Sequence, residues 1–380
     1  MISAADFLDP VREAGYDFFT GVPCSFLTPL INQVITDKRY RYVGASSEGE
    51  AVAIASGAWL AGRETVFMCQ NSGLGNAVNA LTSLNYPFRI PTLAIITWRG
   101  GPGLRDEPQH ELMGRITPHL LDVIEVPHCS FPKQMAEVTD KLLEAMNTLK
   151  QSRRPFAFIM EKGDVIENKV DPATVASPVT GTVEHHQTSK TSSRFAALER
   201  LLASVPEDAG IISATGKCSR ELFTIADRPQ HLYQVGSMGC AVAMGLGAAL
   251  NTNKPIVVID GDGGALMKLG AFATVGACGP KNLIHVVLDN ETYDSTGGQP
   301  TTSGGVDFAV IATAAGYSNG YRCDSLDGFE SVMRSAFCRP GPHLIHLKIK
   351  PGSRSNLGRP TIGPDIVATR FKDFLAAVCI

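Results

Sequence analysis

Pro255-Ile256-Val257-Val258-Ile259-Asp260-Gly261-Asp262-Gly263-Gly264-Ala265-Leu266 is the stretch from which the rest of the chain is read. A run of β-branched apolar residues bounded by proline and glycine reads as a strand buried on both faces. It ends in Gly-Asp-Gly-Gly, and a helical pattern follows. Glycines at such a turn let the backbone approach a ligand closely, and the starting helix offers unpaired N–H groups to an anion. Asp262 adds a hard oxygen for a cation. A second strand, 283–288, ends in Asp289-Asn290-Glu291-Thr292. In a parallel sheet both strand ends reach one edge, where ligands bind. A carboxylate, an amide oxygen and a backbone carbonyl, completed by phosphate oxygens and water, make an octahedral magnesium site. Either turn alone passes for an ordinary β-α connection; the pair points to a cation that holds phosphate.

Working outward, the same alternation fills the second half. Strands are expected at 210–213, 231–235, 256–260, 283–288 and 343–349, and helices at 194–204, 241–250, 266–278, 326–337 and 366–378. The first half repeats it, with apolar runs at 18–20, 42–43, 66–69, 92–97 and 156–160. Helical stretches lie at 51–60, 77–84 and 133–149, and a helix capped by Ser3 and Asp6 runs to about residue 14. Between 163 and 191 the composition turns to Ser, Thr, Pro and Val, which reads as a linker. His185-His186 within it reads as solvated surface. The expected fold is α/β, two doubly wound parallel-sheet domains at 1–165 and 192–380 joined by a linker at 166–191.

With 380 residues, 44% of them hydrophobic, the chain supplies two ordinary cores. No apolar run reaches the roughly 18 residues needed to cross a bilayer. The start, Met1 to Asp6, lacks a basic stretch followed by an apolar one, so no secretory leader is expected. A formal charge of −3 without Lys/Arg runs argues against nucleic acid. The nine cysteines are scattered and never form Cys-x-x-Cys. They read as reduced thiols of a cytoplasmic protein, mostly small core hydrophobes.

Gly-Asp-Gly followed by an Asn-bearing turn resembles the signature of thiamine-diphosphate enzymes, with Asp289-Asn290 where Asn-Asn is usual. The resemblance implies that Asp262, Asn290 and the carbonyl of Thr292 bind Mg2+, which holds the cofactor's diphosphate beside Gly263 and Gly264. It also implies a buried glutamate beside the aminopyrimidine. Gly44-Ala45-Ser46-Ser47-Glu48-Gly49-Glu50-Ala51-Val52-Ala53 matches that pattern, with Glu48 at the catalytic place. Its carboxyl shares a proton with the pyrimidine N1′, favouring the imino tautomer that deprotonates the thiazolium ring. Glu50 reads instead as an exposed acid at a helix start.

In Gly236-Ser237-Met238-Gly239, by the same resemblance, the carbonyl of Gly236 accepts from the 4′-amine and Met238 wedges under the cofactor. Thr215-Gly216-Lys217 is expected at the diphosphate end. Asn71-Ser72-Gly73-Leu74-Gly75-Asn76-Ala77-Val78 looks like a dinucleotide fingerprint, but Val78 stands where the third glycine belongs. In thiamine enzymes this turn borders the cofactor. The implied domains are pyrimidine-binding and diphosphate-binding. Because one supplies Glu48 and the other magnesium, the resemblance implies a homodimer or higher homo-oligomer with sites at the subunit interface.

The pattern further resembles the short two-domain phosphonopyruvate and sulfopyruvate decarboxylases over nearly the whole chain. Matching segments include Phe19-Thr20-Gly21-Val22-Pro23, Ile96-Thr97-Trp98-Arg99-Gly100 and Ser295-Thr296-Gly297-Gly298-Gln299-Pro300-Thr301. Arg105-Asp106-Glu107-Pro108-Gln109-His110 and Asn356-Leu357-Gly358-Arg359-Pro360 resemble the phosphonopyruvate branch. Cys24 stands where relatives commonly carry Asp. The substrate expected is a small anionic 2-oxo acid, 3-phosphonopyruvate, decarboxylated without oxidation to phosphonoacetaldehyde and carbon dioxide. Arg99 and Arg105, on a Gly/Pro-rich loop, offer the paired donors that suit a phosphonate. Lys217, Arg359 and Ser25 are further substrate candidates, and His110 is a candidate proton relay. The loop 293–305 reads as a lid. The alternatives are sulfopyruvate decarboxylation and a catalytically silent scaffold that binds the cofactor.

Overall fold

A computed structural model of the chain describes residues 1–168, 180–186, 188 and 191–377. They form two compact units. One takes in Met1–Trp59 and residues 63–168; the other takes in Leu60–Gly62 and residues 180–377.

The first unit is built on six parallel strands: β1 (Tyr16–Gly21), β2 (Arg41–Gly44), β3 (Glu64–Gln70), β4 (Leu93–Thr97), β5 (His128–Ser130) and β6 (Phe156–Met160). Their order is β2-β1-β3-β4-β6-β5. The central strands β4 and β6 are buried at every position, the signature of a sheet covered on both faces. The edge strands β2 and β5 carry polar and exposed residues instead. Ser3 caps the first helix, Ala4–Glu13, through a reciprocal pair with Asp6 at 3.2 and 2.7 Å, as its sequence implies. Phe7 of that helix packs on Phe131 and Phe158, with ring centroids 4.4 and 5.7 Å away. From β1 the chain passes to β2 and then back across to β3. The crevice that opens at this reversal, beyond the strand ends, is where such sheets bind ligands.

The second unit holds seven parallel strands: β7 (Thr182–His186), β8 (Gly210–Ser213), β9 (His231–Tyr233), β10 (Ile256–Gly261), β11 (Leu283–Asp289), β14 (Asn319–Cys323) and β15 (His343–Lys348). Their order is β7-β14-β15-β11-β10-β8-β9. A small antiparallel pair, β12 (Thr292–Tyr293) and β13 (Gln299–Pro300), lies outside this sheet. The reversal here falls between β8 and β10. The two neighbouring strands with diagnostic ends, β10 and β11, pair in register from Ile256–Leu283 to Gly261–Leu288. That register brings the Gly-Asp-Gly turn beside the Asn290 turn. No helix among the described residues is long and apolar enough to cross a membrane.

Several expectations need correction. Residues 182–186, read as linker, form β7 and pair in parallel with β14. An edge strand needs only one ladder of backbone hydrogen bonds, so a polar sequence suffices there. Residues 169–179 of the expected linker lie outside the described residues. β14 was not foreseen, because Asn319-Gly320-Tyr321-Arg322-Cys323 lacks a continuous apolar run. It is made a strand by partners on both sides, and a side chain at Gly320 would meet the carbonyl oxygen of Ala309 at 2.6 Å. The helix expected over 266–278 is two, Asp262–Met267 and Gly270–Cys278, because Lys268 leaves helical geometry at φ −129° and ψ 45°. Eight cysteines are described and none is in a disulfide; five of them are buried, as expected of small core residues, and Cys379 lies outside the described residues.

One core group bears on acid stability. His231 is fully buried, its Nδ1 3.2 Å from the Ala226 carbonyl and 3.1 Å from the Tyr233 hydroxyl. Burial, helped by the Arg228 charge, lowers its pKa from 6.5 to about 4. In that interval the unfolded chain binds the extra proton, so this contribution is complete above pH 6.5 and drains away as pH falls toward about 4. The gap in urea midpoint between wild type and His231→Gln should therefore narrow between about pH 7 and pH 4.5. A gap that stays constant would contradict it.

Candidate active site

Four loops of the second unit converge at its strand ends, the turns after β8, β9, β10 and β11. Between them lies a cavity of about 280 Å³, lined by Thr215, Gly216, Lys217, Met238, Asp262, Asn290 and Thr292 among others. Asp262 and Asn290 both line it.

Asp262 is 2% exposed and begins a helix. Its Oδ2 accepts from the Thr301 hydroxyl at 2.5 Å and the Ser303 hydroxyl at 2.9 Å, and it has no ion pair among the described residues. Burial pushes its carboxyl up, the Thr301 hydroxyl opposes this, and the negative charge of Asp289 pushes it up again. A buried acid beside another acid, with hydroxyls for partners, suits a divalent cation, which reverses that balance. A side chain at Gly263 would meet the Tyr293 ring at 2.4 Å and Met238 Cε at 3.1 Å, so only a bare backbone leaves this cradle open. Gly264 is closed in a similar way by Asp260, at 2.4 Å. Gly216 has φ +92°, a conformation other residues rarely adopt, and lets the chain turn into the helix Lys217–Ile225. Thr215 is fixed by donating to the Val235 carbonyl at 3.0 Å. Gly236 precedes Ser237, at φ +52°, in the turn that presents Met238 to the cavity. These residues fit magnesium and a diphosphate. Asp262, Asn290 and the Thr292 carbonyl would hold the metal.

Asp289, in place of the usual Asn, is taken up by the fold. It lies 2.8 Å from His346 Nε2, 2.7 Å from Lys348 Nζ and 2.8 Å from Ser303 Oγ. Burial alone would raise its carboxyl, but His346 and Lys348 hold it below the usual carboxylate range. The loop read as a lid is tied down at both ends: β12 pairs with β13, and Thr301 and Ser303 fasten the far side to Asp262. Residues 295–300 between them are exposed. Thr301 and Ser303 were missed as site residues, although Thr301 lies inside a segment that carried the resemblance.

In the first unit, Glu48 begins the helix Glu48–Leu60 just beyond β2 and is 9% exposed. Asn76 Nδ2 donates to its Oε2 at 3.0 Å, and a side chain at Gly73 would meet its Oε1 at 2.0 Å. The stretch that imitates a dinucleotide fingerprint is therefore the shelf for Glu48: its glycine makes room and its asparagine orients the acid. Glu50 is corrected: it is 1% exposed, and its Oε2 accepts from the backbone N–H and hydroxyl of Ser46.

Cys24 sits at the reversal of the first sheet, where its Sγ donates to Gln70 Oε1 at 3.2 Å and lies 3.5 Å from Thr97 Oγ1. Ser25, beside it, is exposed in a shallow cavity. Arg99 is partly engaged: its Nε and Nη2 donate to Asp106 at 3.0 and 2.6 Å, and Phe26 stacks 5.0 Å from its guanidinium. That pairing holds the Asp106 carboxyl well below the usual range. Arg105 lies exposed on the same loop. His110 is 5% exposed, and its buried Nδ1 has no hydrogen-bond partner among the described residues. In the second unit, Arg359 lines a further cavity of about 380 Å³ that shares Thr215 and Gly216 with the first. Arg220 holds the Arg359 segment in place, donating to the Leu357 carbonyl at 2.9 Å and the Gly358 carbonyl at 3.3 Å.

Fold and site together define an α/β enzyme that clamps a diphosphate through a divalent cation. The chain matches the thiamine pyrophosphate enzyme N-terminal TPP binding domain over residues 2–117 and the corresponding C-terminal TPP binding domain over 214–347. It is 47% identical to a phosphonopyruvate decarboxylase of Streptomyces viridochromogenes, across 99% of this chain and 95% of that one. A sulfopyruvate decarboxylase of Methanosarcina acetivorans is 29% identical, across 97% and 96%. Benzoylformate decarboxylase of Polynucleobacter necessarius shares the fold, with a TM-score of 0.69 at 13% identity over 92% of this chain and 99% of that one. The chain belongs to the thiamine pyrophosphate enzyme family.

Proposed function

We propose that the chain catalyses the non-oxidative decarboxylation of 3-phosphonopyruvate to phosphonoacetaldehyde and carbon dioxide, with thiamine diphosphate and Mg2+. The observation that carries this reading is full-length similarity, at 47% identity, to a protein of that name, combined with an unbroken set of Asp262, Asn290, Thr292 and Glu48. When bound, thiamine diphosphate supplies the electron sink into which the carboxylate's bonding pair passes as carbon dioxide leaves.

The chain's own residues bind, orient and move protons. Asp262, Asn290 and the Thr292 carbonyl would hold the cation and through it the diphosphate. Thr215, Gly216, Gly263 and Gly264 would present backbone to the phosphates, and Gly236 and Met238 would lie against the cofactor's rings. Asn76 fixes Glu48 Oε2, which leaves Oε1 to exchange the proton with the pyrimidine. His110, whose Nδ1 lacks a partner within its own unit, supplies the proton that replaces the departing carboxylate on the product carbon. Lys217, Arg105 and Arg359 have no ion pair among the described residues and are the cations left for the phosphonate, with Ser25 as a neutral donor. Arg99 meets Asp106 through Nε and Nη2 only, which leaves its Nη1 as a further donor for the substrate.

The second reading, sulfopyruvate decarboxylation, is favoured by the Methanosarcina relative. A sulfonate carries one charge and a phosphonate up to two, so more than one cation in the site favours the phosphonate. We also propose a homodimer or higher homo-oligomer, with sites at the subunit interface.

Carbon dioxide release from purified protein tests the reading, on phosphonopyruvate, sulfopyruvate and pyruvate, each with and without thiamine diphosphate and Mg2+. Turnover of phosphonopyruvate well above the other two, dependent on both additions, is expected. Faster release from sulfopyruvate would transfer the assignment to the second reading, and release from none would leave the scaffold alternative. Gel filtration of the active sample should show a dimer or larger; an active monomer refutes the shared site.

A further inference from the structure

Arg194 is a charged residue in an unusual place: its side chain is 7% exposed, on a helix that the sequence read as ordinary. Its Nε lies 3.3 Å from Glu221 Oε2, and its Nη2 donates to Asp294 Oδ2 at 2.8 Å and to the Gly352 carbonyl at 3.1 Å. Asp294, 9% exposed, is the meeting point. Besides Arg194, its two oxygens accept from Asn290 Nδ2 at 2.7 Å, Thr292 Oγ1 at 3.0 Å and the Gly352 backbone N–H at 3.1 Å. Four groups thus converge on one carboxylate, and two of them belong to the residues assigned to the cation.

An asparagine amide has a donor end and an acceptor end that are nearly the same shape, and a metal accepts only the oxygen. A carboxylate bound to Nδ2 settles which end faces the other way. Thr292 is held by its hydroxyl, which fixes the peptide whose carbonyl is the third ligand. Arg194, shared with Glu221, offsets the charge of Asp294, so that this buried acid serves as an orienting acceptor.

We propose that Asp294, charge-balanced by Arg194, is the positioning residue of the cation site: it turns the Asn290 amide oxygen and the Thr292 carbonyl toward the metal. The proposal rests on the Asp262–Asn290–Thr292 site being the cation site, and its test separates the two. Asp294→Asn keeps the shape but leaves one acceptor oxygen where there were two, so Asn290 or its neighbours lose their partner.

Mn2+ binding in the presence of thiamine diphosphate, counted by the loss of the free-ion electron paramagnetic resonance signal, reads this directly. Asp294→Asn is expected to weaken Mn2+ about 10- to 100-fold. The Mg2+ concentration for half-maximal activity should rise in parallel while kcat at saturating Mg2+ stays near wild type; the unfolding temperature without ligands should fall, because Arg194 loses one of its two buried acid partners. Wild-type Mn2+ affinity in the variant overturns the proposal. Should Asp294→Asn fail to fold, Thr292→Val removes one tie to Asp294 and leaves the ion pair intact. It should bind Mn2+ several-fold more weakly, and wild-type affinity there overturns the proposal equally. Absence of cofactor-dependent Mn2+ binding in the wild type would refute the underlying site.

Discussion

Replacing Glu48 with glutamine is expected to lower kcat by about 100- to 10,000-fold, the range that a positioned acid–base group contributes. Glutamine keeps the volume and can still meet Asn76 Nδ2 with its amide oxygen, so the shelf formed by Gly73 and Asn76 is not disturbed. What it lacks is an atom that can take up and return a proton where Oε1 now lies. Thiamine diphosphate should therefore bind within a few-fold of wild type by calorimetry while carbon dioxide release collapses. A variant that turns over normally would remove Glu48 from the mechanism. One that fails to bind the cofactor would reassign it from proton transfer to binding.

Asp262→Asn should produce two effects of opposite sign. Without ligands, Asp262 is a buried acid beside another acid, and its burial is offset by two hydroxyls and by no positive charge. Removing that charge should leave the unfolding temperature of the ligand-free protein unchanged or higher, because a site built for a cation is costly while the cation is away. Cofactor-dependent Mg2+ binding should fall by more than about a hundredfold, since a ligand is lost outright where a supporting residue costs somewhat less. Calorimetry with Mg2+ and thiamine diphosphate, together with thermal unfolding of the ligand-free protein, measures both. Retained affinity would place the metal elsewhere.

The two predictions differ in what made them readable. Asp262 is announced by its neighbours in sequence: a β-branched run, two glycines and a helix start. Glu48 was recognised from its flanking residues, but the physical support for it, Asn76 and Gly73, came from a stretch that looked like a different motif. Only the folded chain turns that near-match into a shelf. Arg99 shows the other direction. Its place on a Gly/Pro-rich loop suggested a free guanidinium, and Asp106, seven residues on, takes its Nε and Nη2. Glu50 looked exposed because helix starts commonly are, yet it is buried and bound to Ser46. The polar strands β7 and β14 escaped notice because their neighbours supply what their own residues do not.

Local chemistry therefore came directly from the order of residues: two parallel α/β units, the Gly-Asp-Gly and Asp-Asn turns, and the acids that belong to them. Such features need only neighbouring residues, because strand runs, glycine conformations and helix starts are properties of a few consecutive backbone units. Which charges are spent and which are free was settled by folding. Arg194 and Asp294 are separated by 100 residues and meet in a buried pair; Asp289 finds His346 across 57. No pattern along the chain encodes those encounters, because a partner is chosen by proximity in space and by the cost of leaving a buried charge alone.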